Sequence, residues 1–209
     1  MRAFVRNLAI SAALIALASC NKPAGSTNLD EDMTQGKADA PVTLIEYASV
    51  TCPHCAAWNA ETFPAFKAKY IDTGKVKYVL REAPIHGAPD VAGFMVARCA
   101  GKDKYFQVVD GLMRSQPDMG DQLQNIRDVI LKVGESAGMS EQSIVKCLND
   151  DKAATAAGKR ADKEMKEFDI GGTPTFVLKG KKIAETAEEA SLDRLSAQLD
   201  PLIAASGKK

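Results

Sequence analysis

Short apolar runs mark the two strands that open the folded part of the chain. Residues 42–50 (VTLIEYASV) hold one acid in an otherwise apolar run, and residues 75–81 (KVKYVLR) are rich in β-branched and aromatic side chains. Runs of about four to eight such residues are typical of strands, and the uninterrupted kind is typical of a buried strand. The pattern therefore predicts a buried strand at 42–50 and a second strand at 75–81.

A helix is predicted between these strands. It begins near Cys52 with Thr51 as its N-cap and ends near residues 72–74 (DTG), because threonine favours helix starts and glycine favours helix ends. Pro64 falls inside this span, and we expect a kink there because proline removes a backbone donor and clashes with the preceding turn. Strand, helix and strand in this order are the opening of an α/β fold.

The middle of the chain, residues 90–168, has a helical pattern throughout. Glycines and one proline separate its segments, and these residues commonly end or interrupt helices. No strand-like stretch lies between the segments. The predicted helices are residues 91–100, 104–114, 121–133, 140–149 and 152–168.

The C-terminal part returns to strands and ends in a helix. Residues 175–178 and 182–184 flank a Lys-Gly-Lys turn, which predicts a hairpin. Leucines at helical spacing follow a possible cap at Ser191, and we interpret them as core packing. These leucines are Leu192, Leu195, Leu199 and Leu202. The whole pattern predicts an α/β scaffold at residues 41–89 and 169–209, with an α-helical domain inserted at 90–168.

Residues 1–19 have the layout of an export signal. Two arginines precede an apolar run at residues 8–18 that ends in small side chains. The run is shorter than the roughly 20 apolar residues that a transmembrane helix needs. A buried N-terminal helix is the alternative, but the segment has no polar face. The mature protein is therefore expected in the periplasm.

Two cleavage sites compete at the end of this signal. Residues 16–18 (ALA) suit ordinary signal peptidase and would give a soluble periplasmic protein, whereas residues 17–20 (LASC) resemble a bacterial lipobox, after which Cys20 is lipidated. Cysteine parity favours the lipobox, because an exposed spare thiol is a liability in an oxidising compartment. We predict a lipid anchor at Cys20 and a flexible tether over residues 20–40. Which membrane carries the anchor stays open.

Composition excludes some classes of function. The chain has 209 residues, 27 Lys and Arg against 27 Asp and Glu, 26% charged residues and 45% apolar residues. This composition is typical of a soluble globular protein that is large enough to fold without metals or disulfides. The balanced charge disfavours a nucleic-acid binder that relies on a basic surface. Stability therefore does not explain why the chain has five cysteines.

The candidate chemistry lies at Cys52-Pro53-His54-Cys55, between a predicted strand and a predicted helix. The unpaired N–H groups and the macrodipole of a helix start stabilise an anion, so Cys52 should ionise more readily than a free thiol. Cys52 is then the attacking sulfur, and the more buried Cys55 resolves the mixed disulfide. His54 is expected to donate a hydrogen bond or positive charge to the Cys52 thiolate, which would make the disulfide a stronger oxidant.

Half of a zinc site and an inert disulfide are the simpler interpretations of this cysteine pair. A closed zinc site needs four ligands, and the sequence has no second Cys-x-x-Cys pair and no closely spaced histidine pair. Neither a metal nor an organic cofactor is expected. A module that captures copper or zinc stays open as an alternative from a different functional class.

The sequence resembles the DsbA family of thioredoxin-fold thiol oxidases. The resemblance rests on residues 46–55 (EYASVTCPHC), residues 172–176 (GTPTF) and the long helical insertion, and it covers residues 40–205 in order. It implies a thioredoxin fold split by a helical domain. The catalytic motif that it implies comprises Cys52, Pro53, His54 and Cys55.

Two further positions carry over from the resemblance. A cis-proline is implied at Pro174, where it would leave the Thr173 backbone free to pair with an extended substrate beside Cys52. A trans proline on an edge strand is the alternative. Glu46 is implied as a buried acid, whose raised pKa would suit it to relay a proton to or from Cys55. An acid on the polar face of the strand is the alternative.

Cys99 and Cys147 fall in predicted helices of the insertion and are expected to bond to each other in an exported protein. Closing this loop would stabilise the fold by about 4 kcal/mol on the chain-entropy model. Some alphaproteobacterial-type relatives of DsbA have a second disulfide here, and its structural or regulatory role stays open. His86 has no evident partner and is interpreted as a surface loop residue.

The predicted function is to introduce disulfides into reduced, unfolded or extended exported polypeptides. The resemblance implies that a quinone-coupled membrane oxidase of the DsbB type reoxidises the Cys52 and Cys55 pair. A monomer is expected. An isomerase or reductase of the same fold is the alternative, although residues 21–40 are too short and polar for the N-terminal dimerisation segment that such isomerases usually carry.

Overall fold

The computed structural model describes Leu29 and residues 31–207. The predicted export signal, Cys20 and the first part of the tether lie outside the described residues. Within them the chain forms a five-stranded sheet in the order β1-β3-β2-β4-β5. The strands are β1 Met33–Gln35, β2 Val42–Ala48, β3 Val76–Glu82, β4 Thr175–Leu178 and β5 Lys181–Ala184.

The central strand of the sheet is β2. It runs parallel to β3 and antiparallel to β4, while β1 and β5 pair antiparallel with their neighbours at the two edges. In this register Glu46 lies between Leu80 on β3 and Phe176 on β4. The predicted α/β class is confirmed, and the last residues of β2 lead directly into the cysteine motif.

Helices cover the sheet and form the insertion. The helices of the sheet scaffold are α1 Pro53–Glu61, α2 Phe63–Phe66 and α8 Leu192–Ser206. The helices of the insertion are α3 Ala88–Cys99, α4 Lys102–Arg114, α5 Ile126–Ser136, α6 Glu141–Leu148 and α7 Asp151–Glu167. None of the helices in this part of the chain is long and apolar enough to cross a membrane.

The helix predicted between the first two strands is interrupted, as the proline suggested. The helix α1 ends at Glu61, with Thr62 as its C-cap. Pro64 lies in the first turn of α2, where its missing N–H leaves no bond unmade. A π-helical turn, Lys67–Ile71, continues the segment. The predicted kink is therefore a break between two helices.

The helix predicted at residues 121–133 begins later, at Ile126. A short 3₁₀ helix, Gln116–Met119, follows α4, and Gly120 then turns the chain with a φ of 80°. Only glycine adopts such a backbone conformation without strain. The 3₁₀ helix lies close to the cysteine motif, because the Gln116 side chain donates to the carbonyls of Val50 and Cys52.

The prediction of a flexible tether over residues 20–40 is wrong for residues 33–35. They form β1, and Met33 is buried against the sheet core, opposite Leu80 in the register. The preceding backbone is also held, because Arg160 donates to the carbonyl of Glu31 at 3.0 Å and pairs with Asp32 at 2.7 Å. A three-residue strand in a polar context has too little periodicity to be recognised from sequence.

An aromatic cluster fixes α1 on the sheet. Trp58 is 1% exposed and packs against Phe66 and, at 4.8 Å between ring centroids, against Phe176 on β4. Its indole N–H donates to the Ala190 carbonyl at 2.8 Å. Because Trp58 is three residues beyond Cys55, this packing sets the position of the helix that carries the cysteines.

Candidate active site

The first cysteine of the motif lies at the start of a helix. Cys52 is the N-cap of α1, with an extended backbone (φ −80°, ψ 121°), and Pro53 follows in the first turn. The predicted N-cap was Thr51, and this is corrected: the Thr51 side chain bonds elsewhere. The backbone N–H groups of His54 and Cys55, in the first turn of α1, therefore stabilise the Cys52 thiolate, as expected for a sulfur at a helix start.

Several groups stabilise the Cys52 thiolate. The pKa of Cys52 falls from its ordinary 9.0 to about 5, chiefly because the Cys55 thiol donates a hydrogen bond to its sulfur. Burial alone would raise this pKa, so the hydrogen bonds outweigh it. The side chain of Thr173 and the backbone N–H groups of Cys55 and His54 lower it further. The Thr173 hydroxyl is buried and has no partner among the described residues while Cys52 is a thiol, so it is available to the thiolate.

The second cysteine behaves in the opposite way. Cys55 is fully buried, and burial raises its pKa well above 9.0, with further increases from its bond to Cys52 and from the charge of Glu46. The backbone N–H of Ser49 points to its sulfur at 3.5 Å. At neutral pH the pair is therefore one thiolate, Cys52, and one thiol, Cys55.

The side chains between the cysteines are exposed. Pro53 and His54 both lie at the surface. The effect of His54 on the Cys52 thiolate comes from its backbone N–H, and its imidazole makes no hydrogen bond or ion pair within residues 31–207. The predicted charge donation from the His54 ring stays a prediction.

Glu46 is a buried, largely neutral acid. It is 2% exposed, so its placement on a polar face is wrong. Burial raises its pKa from 4.5 to about 8, a hydrogen bond from the Tyr78 hydroxyl opposes the increase, and the charge of Cys52 adds to it. A carboxyl with this pKa holds a proton at pH 7 and also senses the charge of the cysteine pair.

We expect Glu46→Gln to remove most of the decrease in unfolding free energy that the buried carboxyl causes as the pH rises. The folded-state pKa is raised, so the stability from the neutral acid is complete below pH 4.5 and is lost as the pH rises through 8. Burial, the largest cause of the shift, also acts in the oxidised protein, whereas the smaller effect of the Cys52 charge does not, so the loss there is at most about 3 kcal/mol between pH 4 and pH 7. Urea unfolding at the two pH values measures it, and the variant should show a much smaller difference.

The same variant tests the proton relay. Turnover with a dithiol peptide should fall by about tenfold or more, as for loss of a general acid or base. The redox potential should change little, because the carboxyl is mostly neutral at pH 7. Glu61→Gln, an exposed acid at the end of α1, is the matched control. An unchanged turnover in Glu46→Gln would remove the relay role.

A cis peptide bond joins Thr173 to Pro174, as the resemblance implied. The Cys52 thiol donates to the Thr173 carbonyl at 3.3 Å, which places this turn beside the sulfur. Thr173 is 8% exposed. The loop before β4 and the start of α1 thus meet at Cys52, although they lie far apart in the sequence.

Cys99 and Cys147 are joined by a disulfide with a Cα–Cα distance of 6.4 Å. The bond links the end of α3 to α6 inside the insertion, as predicted. Cys52 and Cys55 are both free thiols, so this is the reduced form of the motif. No group of three or more potential metal ligands occurs in the described part of the chain.

Sequence reasoning missed a buried acid beneath the motif. Asp90, in the first turn of α3, is 0% exposed and accepts hydrogen bonds from Ser49 Oγ at 2.7 Å and Thr51 Oγ1 at 2.9 Å. His86 Nδ1 lies 2.7 Å from Thr51 Oγ1, so the interpretation of His86 as a residue without a partner is wrong. An acid in a helix's first turn is common, and nothing local in the sequence indicates this contact.

A second missed residue, Gln116, lies in the 3₁₀ helix. Its amide donates to the carbonyls of Val50 at 2.8 Å and of Cys52 at 3.1 Å. These contacts span more than sixty positions of the sequence. A glutamine in a loop carries no sequence signal for such a role.

The family profile and the relatives found by comparison with known proteins agree on one family. The profile of the family described as Thioredoxin matches residues 28–200. A protein of Rickettsia bellii that carries the name protein-disulfide oxidoreductase is 32% identical over 180 residues, which are 86% of this chain and 68% of the relative. A Rickettsia typhi protein of the same name is 33% identical over 171 residues, 82% of this chain and 62% of the relative. The chain thus spans about two thirds of the length of these relatives.

A solved structure has the same arrangement. The crystal structure of Wolbachia pipientis alpha-DsbA1 superposes with a TM-score of 0.72 at 26% sequence identity, over 84% of this chain and 92% of that one. The superposition therefore includes both the sheet scaffold and the helical insertion.

Proposed function

Because the chain belongs to the DsbA-type branch of the thioredoxin family of thiol–disulfide oxidoreductases, we propose that it introduces disulfides into reduced, extended polypeptides. The observation that carries the proposal is the opposite shift of two thiol pKa values, since that of Cys52 falls to about 5 while that of Cys55 rises. Stabilising the Cys52 thiolate lowers the free energy of the dithiol form. The Cys52–Cys55 disulfide is then a strong oxidant.

The proposed reaction has two exchange steps. A substrate thiolate attacks Cys52 Sγ, the Cys52–Cys55 bond breaks, and its electron pair goes to Cys55, which takes up a proton. Glu46 is the proposed source of that proton, because it is neutral at pH 7 and close enough for its charge to raise the pKa of Cys55. A second substrate thiolate attacks the substrate sulfur of the mixed disulfide, and Cys52 leaves as a thiolate. Two electrons pass from the substrate to the enzyme.

A groove beside the motif supports a polypeptide substrate. It has a volume of about 720 Å³ and runs between α1 on one side and, on the other, the end of α4 with the segment that follows it. Its walls include the apolar side chains of Pro53, Ala56, Met113, Pro117 and Leu123. An extended segment that follows this groove would bring a cysteine to Cys52, while the backbone of Thr173 pairs with the segment.

The cellular setting of the proposal rests on the sequence. We place the protein in the periplasm, held by a lipid on Cys20, with a soluble periplasmic form as the alternative. A quinone-coupled membrane oxidase of the DsbB type would accept the two electrons and restore the Cys52–Cys55 disulfide. The protein would act as a monomer and without a metal or organic cofactor.

The equilibrium of the Cys52–Cys55 pair with glutathione tests the proposed function. An oxidase predicts a reduction potential of about −180 mV or higher, whereas a thioredoxin-like value of about −270 mV would identify a reductase. A dithiol peptide should be oxidised stoichiometrically by the disulfide form. Rearrangement of scrambled substrates without net oxidation would support an isomerase instead. Tight retention of one zinc or copper ion by the reduced protein, without an oxidising potential, would support the metal-handling alternative.

A further inference from the structure

The segment between β2 and α1 is held by the helical insertion from two sides. Residues 49–51 belong to neither a strand nor a helix, yet Ser49, Val50 and Thr51 are all buried. This segment sets where Cys52 lies relative to the end of α1 that stabilises its thiolate. Its position therefore depends on what it contacts outside the sheet.

On one side the segment bonds to Asp90 of α3. The Asp90 carboxylate accepts from the side chains of Ser49 and Thr51 and from the Thr51 backbone N–H at 3.1 Å. Its other oxygen accepts from the His86 backbone N–H at 3.0 Å. Every group that faces Asp90 in these bonds is a donor. A carboxylate fits such a site, and an amide side chain would place its own N–H₂ against at least one of the donors.

On the other side the segment bonds to Gln116 of the 3₁₀ helix. The Gln116 side-chain amide donates both of its protons, one to the Val50 carbonyl and one to the Cys52 carbonyl. The Cys52 carbonyl also accepts the first backbone bond of α1, from the Ala56 N–H at 3.1 Å. Gln116 therefore shares an acceptor with the helix that presents the cysteines.

Close packing of α3 completes the contact. A Cβ atom added at Gly93, one turn after Asp90, would lie 2.8 Å from Val50 Cγ2, so α3 approaches the segment as closely as a glycine allows. Val50 itself is fully buried. The segment is thus fixed by hydrogen bonds to its side chains, to its N–H groups and to its carbonyls.

We propose that Asp90 and Gln116 are positioning residues for Cys52, through which the helical insertion holds the Cys52 thiolate against the start of α1 and so sets the oxidising strength of the pair. The proposal deepens the proposed function and rests on it for its biological meaning. Gln116 also lines the groove proposed for the substrate, so the proposal is tested by the Cys52 pKa and the glutathione equilibrium, which involve no bound polypeptide. Each acts through the backbone or side chains of residues 49–52.

Gln116→Met tests the two hydrogen bonds that the Gln116 amide donates to the Val50 and Cys52 carbonyls. Methionine has nearly the same shape as glutamine, is uncharged and has no donor. We expect the pKa of Cys52 in the reduced variant to rise by about one unit and the equilibrium with glutathione to shift about tenfold toward the disulfide, which corresponds to about 30 mV. Gln122→Met, an exposed glutamine beyond Gly120, is the matched control and should leave both values unchanged.

Asp90→Asn tests the hydrogen bonds that Ser49 and Thr51 donate to α3. The glutathione equilibrium is again expected to shift toward the disulfide, by about three- to tenfold. The matched control is Asp103→Asn, since Asp103 also lies in the first turn of a helix but is exposed. If Asp90→Asn does not fold, Gln116→Met carries the test alone, because Gln116 is only partly buried.

Comparing the two redox forms separates positioning from simple support of the fold. Positioning predicts that each variant lowers the unfolding free energy of the reduced form more than that of the oxidised form, because only the reduced form has a thiolate to stabilise. Equal losses in both forms, with unchanged Cys52 pKa and glutathione equilibrium, would overturn the proposal. A wild-type protein that fails to oxidise peptides would refute the proposed function alone, since the Cys52 pKa still reports on the two positioning residues.

Discussion

Replacing Cys52 by alanine is expected to abolish the oxidation of a dithiol peptide, with a loss of about 10³-fold or more in rate. The reason is that substrate forms its covalent bond with this sulfur, and the pKa of Cys55 is raised so far that it does not supply a thiolate at neutral pH. Stopped-flow or discontinuous thiol assays with a peptide that contains two cysteines measure the loss.

Two further cysteine variants control this experiment. Cys55→Ala keeps Cys52 as the attacking sulfur but removes the resolving thiol and its hydrogen bond to Cys52. With a peptide supplied as a disulfide-linked dimer, it should release one peptide thiol and accumulate the mixed disulfide of Cys52 with the other peptide. Cys99→Ala combined with Cys147→Ala removes the disulfide of the insertion, which lies outside the motif, and it should retain the exchange reaction. A Cys52→Ala protein that still oxidises the peptide at the wild-type rate would contradict the assignment of the nucleophile.

The second large effect is on the free energy of unfolding, which should increase with pH in the reduced form relative to the oxidised form. The pKa of Cys52 is lowered in the folded state, so its contribution is complete above pH 9 and is lost as the pH falls through 5. The contribution is about 3 kcal/mol at pH 7 and grows by about 4 to 5 kcal/mol from pH 5 to pH 9. Only the reduced form has this titrating thiol.

Closing the small Cys52–Cys55 ring opposes this effect. It removes entropy from the unfolded chain and favours the oxidised form by about 2 kcal/mol, independently of pH. The reduced form should therefore be the more stable one at pH 7 and above, and the less stable one near pH 5. Guanidinium unfolding of both forms across this range measures the gap in unfolding free energy between them. The unfolding free energy of a Cys52→Ser variant, which lacks the thiolate, should keep only the pH dependence of the oxidised protein, to which Glu46 contributes. A wild-type gap that is constant from pH 5 to pH 9 would contradict the account.

Local features of the sequence predicted the scaffold well. The strands at 42–50 and 75–81, the broken helix at Pro64 and the run of helices through residues 90–168 each have a pattern that is contained within one segment. The Cys-Pro-His-Cys motif was equally recognisable, because its chemistry depends on its position between a strand and the start of a helix, and both are visible in the adjacent sequence. Among the strands of the described residues only β1 escaped detection, since three residues are too few to show a period.

The support of the site could not be predicted in this way. Asp90 and Gln116 meet the segment before Cys52 across more than thirty and sixty positions of sequence, and Gln116 contacts only backbone carbonyls, which have no sequence signature. The protonated state of Glu46 depends on complete burial, which the sequence suggested only through the resemblance. For His54 the sequence indicated the imidazole, whereas the structure places its effect at the backbone N–H.

The central claim is that the sulfur of Cys52 is stable as an anion in the folded, reduced protein. The most direct test is a pH titration of the thiolate ultraviolet absorbance of the reduced protein, with Cys52→Ala as the baseline. The account predicts a midpoint near 5, because the Cys55 thiol, Thr173 and the first turn of α1 all stabilise the anion. A midpoint near the ordinary thiol value of 9.0 would contradict it.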